Sequence, residues 1–241
     1  MAIATLFICL PAFVHAQPDN MQIKGKWSLA VYGGIDAEIS GDVHDAGTGI
    51  VLGLPTTVQA KSFGDVYQTA PNLQVSLGYG IWKWGEILGI FTYAKTSAEE
   101  LQVGDVAGLP LFALFDDYQE FGFELGYRHF FIVDSVFKPY ASVTGGVKFI
   151  DAINARLSVP AAAVVLEDVN FYDSSTVIAF GGNAGFRIDM NSNLALGVEG
   201  GIHYQAKPSQ IEGLAGTGLE NLNDVGDRWT FPVLAHAVIR F

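Results

Sequence analysis

Cysteine is nearly absent. The chain of 241 residues has 1, Cys9, and it lies in the apolar opening stretch MAIATLFICLPAFVHA. One thiol builds no disulfide framework and no cysteine-type zinc site. Charge is sparse as well, at 16% of residues against 50% hydrophobic. Beyond the N-terminus, no run approaches the roughly 20 apolar residues of a spanning helix. Also missing are a Gly-rich phosphate loop, a nucleophile elbow, a His-x-Ser motif, a metal-ligand cluster and an EF-hand loop. No catalytic residue, metal or cofactor is therefore assigned. Lys and Arg number 13 against 25 Asp and Glu, a net charge of −12, which argues against a nucleic-acid partner.

The first residues are apolar and then small, with Val14 and Ala16 at the spacing of a cleavage site. Residues 1–16 read as a secretory signal peptide, though it has no Lys or Arg at its start. Cys9 and His15 would leave with it. Residues 17–25 form a lead-in, and 26–241 form the body of the protein.

What the body has in abundance is alternation. Phe121, Phe123, Leu125, Tyr127, His129 and Phe131 share one face of a strand, and Glu120, Gly122, Glu124, Gly126 and Arg128 share the other. A period of two is a strand whose faces meet different surroundings. The pattern recurs over 26–34, 72–81, 85–95 (less cleanly), 119–131, 139–149, 176–190, 194–204 and 228–241. The connections run long, short, long, short, long, short, long. The short ones leave no room for crossover helices, so the strands are antiparallel. The expectation is an all-β, eight-stranded, antiparallel up-and-down barrel. A soluble barrel would turn its apolar face inward and coat its outside with Lys, Glu and Thr. Here the polar face is rich in glycine and holds only one or two charges per strand. That composition suits a cramped interior, with the aromatics outside against acyl chains.

The last stretch, RWTFPVLAHAVIRF, sets Trp229, Phe231, Val233, Ala235, Ala237, Ile239 and Phe241 on one apolar face. A closing strand with that row and a terminal aromatic resembles the C-terminal strand of small bacterial outer-membrane β-barrel proteins of the OmpA-transmembrane, OmpX and OmpW type. The resemblance implies an assembly signal at Phe241 and Ile239, read by the barrel-assembly machinery. It implies a place in a Gram-negative outer membrane, among lipid and lipopolysaccharide. The turns and both termini would be periplasmic, and the four long loops extracellular.

Inside such a barrel, Glu120, Glu124, Arg128, Lys148, Arg187, Asp189, Glu199 and Arg240 would meet as a charge network, joined by Glu86 and Arg228. Isolated buried charge is very costly, so these groups must pair. The network either closes the bore or lines a gated path for small solutes. His203 and Glu199, on one strand face, read as a hydrogen-bonded pair. The long segments carry most of the acid, including Asp36, Glu38, Asp116 and Asp117. Each also holds a short apolar patch, at 51–55, 106–115, 159–166 and 213–219. The patches form either a packed cap or an apolar site. The leading function is a non-enzymatic surface barrel whose acidic loops meet an extracellular ligand or host surface. The alternatives are a narrow porin-like channel and, last, a lipid-modifying enzyme.

Overall fold

The computed structural model describes residues 23–51, 53–209 and 216–241, without the side chains of 38 and 39. The expected signal segment, with Cys9 and His15, lies outside the described residues. So do most of the lead-in and parts of the first and last apolar patches. The first half of the chain forms β1 (Trp27–Ser40), β2 (Asp42–His44), β3 (Gly47–Val51), β4 (Leu54–Val58), β5 (Lys61–Ser62), α1 (Phe63–Val66), β6 (Ala70–Trp82), β7 (Gly85–Thr96), β8 (Leu101–Val106) and β9 (Leu109–Phe115). The second half forms β10 (Tyr118–Phe130), β11 (Phe137–Ile150), β12 (Ile153–Val159), β13 (Val164–Tyr172), β14 (Ser175–Asp189), β15 (Leu194–Gln205) and β16 (Arg228–Arg240).

Eight of these close into an antiparallel barrel in the order β1-β16-β15-β14-β11-β10-β7-β6. Closure leaves no sheet edge, so the wall satisfies its own backbone donors and acceptors. The alternation read from the sequence becomes an alternation of environment. Along β16, Arg228, Thr230, Pro232, Leu234, His236, Val238 and Arg240 are buried, and the residues between them are exposed. On β10, Leu125 is 73% exposed while Arg128 is 2% exposed. Apolar side chains cover the outside, and polar ones fill the bore.

Two groups of aromatics mark the outer face. Near the long connections, Phe121 stacks on Phe149, and Phe180 packs with Tyr204 and Trp229. Near the short turns, Trp27 packs on Tyr79, and Trp82 lies against Trp84 and Tyr127. An apolar band between two aromatic girdles is the exterior of a barrel that crosses lipid.

Strand β1 runs six residues past the expected Gly34. Two glycines interrupt its alternation there, yet the ladder continues, with Ile35 opposite Val233 and Asp36 opposite Pro232. Asp36 was expected in an acidic loop. It is a buried residue of the barrel wall.

The long connections are not open loops. The first three of them build a second antiparallel sheet in the order β13-β12-β9-β8-β4-β3. That order repeats the order of the barrel strands from which the hairpins rise. β12 pairs with β9 directly above the place where β11 pairs with β10. Asp116 clamps the junction, accepting from the Asn154 amide at 3.1 Å and from its side chain at 3.0 Å. The hairpin between β8 and β9 turns on Ala107 and Gly108, both at positive φ, the geometry of a two-residue primed turn. Thus one side of the wall continues upward as a half-shell. Residues of the fourth connection lie across it: the Thr217 carbonyl accepts from Ile50, and the Leu222 carbonyl accepts from Asp45. Val43, Phe63, Val103, Phe115, Ile153, Phe171, Leu219 and Leu222 form the apolar core of this cap.

Candidate functional site: an ion-paired bore beneath an apolar cap

The bore is organised around Glu86 on β7. Its Oε2 lies 3.2 Å from Arg128 Nη1 on β10 and 3.2 Å from Arg187 Nη1 on β14. Its Oε1 accepts from the Ser28 hydroxyl on β1. Arg128 also donates to Tyr32 at 2.8 Å and lies 3.5 Å from Glu199. Glu199 in turn accepts from Tyr140 at 2.5 Å. The Arg128 guanidinium stacks over the Tyr140 ring at 4.6 Å. Six of the eight barrel strands are thus tied across the axis.

Two further clusters lie above and below this one. Toward the short turns, Asp189 meets Lys138 at 2.7 Å and Arg240 at 2.5 Å. Toward the cap, Glu120 pairs with Lys148 at 2.7 Å and accepts from Tyr118 at 2.6 Å. Arg228 sits 4.9 Å from the ring centres of both Phe63 and Tyr118. At the turn end, Ile23 packs against Phe130 and Tyr140 and seals the lower mouth. The backbone of Gly25 bonds to Gly80 at 2.7 Å. Gly80 must be glycine there, since a Cβ would collide with the Ile23 carbonyl.

The expected charge set is therefore distributed over three clusters. Arg128, Arg187 and Glu199 meet in the first, Asp189 and Arg240 in the second, and Glu120 and Lys148 in the third. Glu124 is buried on the wall of a void of about 10 Å³ and makes no ion pair among the described residues. Glu86, a lesser candidate in the sequence, is the hub. Lys138, Tyr32 and Tyr140 were not singled out. The buried acids are Asp36, Glu86, Glu120, Glu124, Asp189 and Glu199, against Arg128, Lys138, Lys148, Arg187, Arg228 and Arg240. Among the described residues the buried charges thus balance in formal number, and most of the chain's acidic excess lies outside them.

His203 does not pair with Glu199. It contacts Asn183 Oδ1 at 3.0 Å. Four residues along a strand span about 13 Å, beyond the reach of the two side chains. His236 stacks on Tyr32 with ring centres 4.7 Å apart. Ile239 and Phe241 are exposed on the outer face, and Phe241 exchanges two backbone bonds of 3.0 Å with Trp27. Asp117 pairs with Lys95 at 3.1 Å, while the Glu38 side chain lies outside the described residues. No cluster of metal-ligating side chains occurs among the described residues.

The cap holds a cavity of about 290 Å³. All four long connections line it. Val58 and Val103 form part of its floor and are almost wholly buried, whereas Leu54 and Leu109 at its rim are exposed. The polar side chains in the lining are His44, Thr56 and Ser158, and none of the lining residues is Asp, Glu, Lys or Arg. His44 Nδ1 lies 3.1 Å from the Asp45 carbonyl. A carbonyl only accepts, so Nδ1 carries the proton and Nε2 is an acceptor. Burial lowers the His44 pKa from its ordinary value, outweighing the opposing effect of the Asp45 carbonyl.

No protein-family model and no curated protein matches the sequence. Among solved structures, the chain is similar to Neisserial surface protein A, with 14% identity over 90% of this chain and 98% of the other at a TM-score of 0.48. It is similar to Ail, the attachment invasion locus protein of Yersinia pestis, with 14% identity, coverage of 91% and 100%, and a TM-score of 0.43. It is also similar to the outer membrane protein OprG from Pseudomonas aeruginosa, with 13% identity, coverage of 92% and 98%, and a TM-score of 0.42. On its own architecture, closed by eight antiparallel strands, apolar outside and ion-paired within, the chain has the fold of the small outer-membrane β-barrel proteins.

Proposed function

We propose that this protein is a non-enzymatic barrel of a bacterial outer membrane, with a closed bore and a folded β-cap on the cell surface. The filling of the bore carries the reading. Three ion-pair clusters and the Ile23 seal occupy the axis, and the void beside Glu124 is about 10 Å³, about the volume one water needs. Exposed apolar side chains around the whole wall support a lipid environment. The shared rim of the two chain ends and the short turns is periplasmic in this reading. The cap then faces outward as a surface for an extracellular ligand or host structure. Lipopolysaccharide surrounds the upper girdle, and the assembly machinery engages β16 through Ile239 and Phe241.

Planar-bilayer recording tests the closed bore. The expected result is no steady conductance from the purified protein. Steady ohmic steps that vanish in Arg128→Ala or Glu124→Ala would instead establish the narrow channel.

A further inference from the structure

The geometry points to a ligand site in the cap: the cavity binds a small, neutral, largely apolar molecule with a single hydroxyl. This goes beyond the membrane reading and does not depend on it, because every wall of the cavity comes from the long connections. Three observations carry it. Protein interiors are close-packed, with few voids larger than a water molecule. A space of about 290 Å³ walled by Val58, Val103, Leu111, Phe115 and Leu222 departs from that rule. An apolar void of about 150 Å³ stays dry and takes up benzene, so this one suits a ligand of roughly twice that size.

The second observation is charge. The lining carries no ionic side chain, and a buried ion without a partner is excluded by its desolvation. Asp105 and Asp168 stand beside the lining residues Val106 and Val169 in sequence, and Glu167, beside Leu166, is paired with Arg156 at 3.0 Å outside the lining. The lining therefore offers a carboxylate no cationic partner and a cation no anionic one, which disfavours fatty acids and amines alike. The third is the polar handle. His44, held as the Nδ1–H tautomer by the Asp45 carbonyl, offers an acceptor to one hydroxyl. Exposed Leu54 and Leu109 at the rim provide the way in.

The test uses the full chain in lipid nanodiscs, with 2-naphthol as the probe and empty nanodiscs as the partition blank. Saturable binding at one site per chain is expected. Two variants should weaken it at least tenfold: Ala113→Leu in the floor, and Ala162→Trp at the exposed rim, where the fold is not at stake. The carboxylate analogue 2-naphthoate should bind at least tenfold more weakly than the alcohol. Binding no greater than the blank, equal binding in both variants, or equal binding of the carboxylate would each overturn the proposal.

Discussion

At the scale of the single residue, Glu86 bears the greatest consequence. One carboxylate answers two arginines, with about 1% to 3% of each side chain exposed. Removing one partner of a buried pair typically costs about 3–5 kcal/mol, because the remaining charge is stranded. Glu86→Gln should therefore lower unfolding stability in lipid vesicles by about that amount, read by urea titration. Lys83→Ala, which breaks the exposed pair with Asp134, should change it by less than about 1 kcal/mol. Equal effects would remove Glu86 from its central place. The sequence hinted at Glu86 only faintly, because β7 puts Leu88 and Ile90 on the inward face, and that blurs the alternation. Tyr32 and Tyr140 fell on the polar face, but pattern alone does not say that one hydroxyl will accept from Arg128 and the other donate to Glu199. His44 makes a second case. Its folded pKa lies below the ordinary imidazole value of about 6.5, so the unfolded cap takes up the proton more readily. The stability it contributes is complete above about pH 6.5 and is lost as pH falls below that. Proteolysis of the cap should accelerate between pH 7.5 and 5 in the wild type, and less so in His44→Gln. Identical profiles would show that His44 is not the sensor.

At the scale of the element, the barrel strands were legible because each has two faces in opposed environments. Alternation survives wherever a wall separates lipid from a polar bore, and the observed ends fall close to those read from the sequence. Strand β1 is the exception, where Gly33 and Gly34 conceal a ladder that runs on to Ser40. The cap strands were not legible. They are short, and their partners lie on other connections, so register depends on the barrel beneath and not on any local pattern. The apolar patches were visible, but their shared cavity was not. The outward row of β10 yields a direct measurement. Leu125→Arg places a cation in the middle of that row and should destabilise the bilayer-inserted protein by about 2–4 kcal/mol. An unchanged urea midpoint in vesicles would mean that Leu125 does not face acyl chains.

At the scale of the whole molecule, the two halves of the fold divide the physics between them. The barrel encloses balanced charge and leaves its hydrocarbon outside. The cap encloses hydrocarbon and leaves its acids outside. Most of the acidic excess behind the net charge of −12 therefore lies beyond the bore. Among the described residues no strand of the cap sheet comes from the connection between β15 and β16; that connection instead lies across the sheet through the Thr217 and Leu222 carbonyls.

The seat of Ile23 bears on the order of assembly. Its neighbours Phe130 and Tyr140 come from β10 and β11, and the adjoining Gly25 bonds through its backbone to Gly80 of β6. That pocket exists only once β6, β7, β10 and β11 lie side by side. A segment that precedes β1 thus docks on strands that follow it, corking a vessel that later parts of the chain must first build.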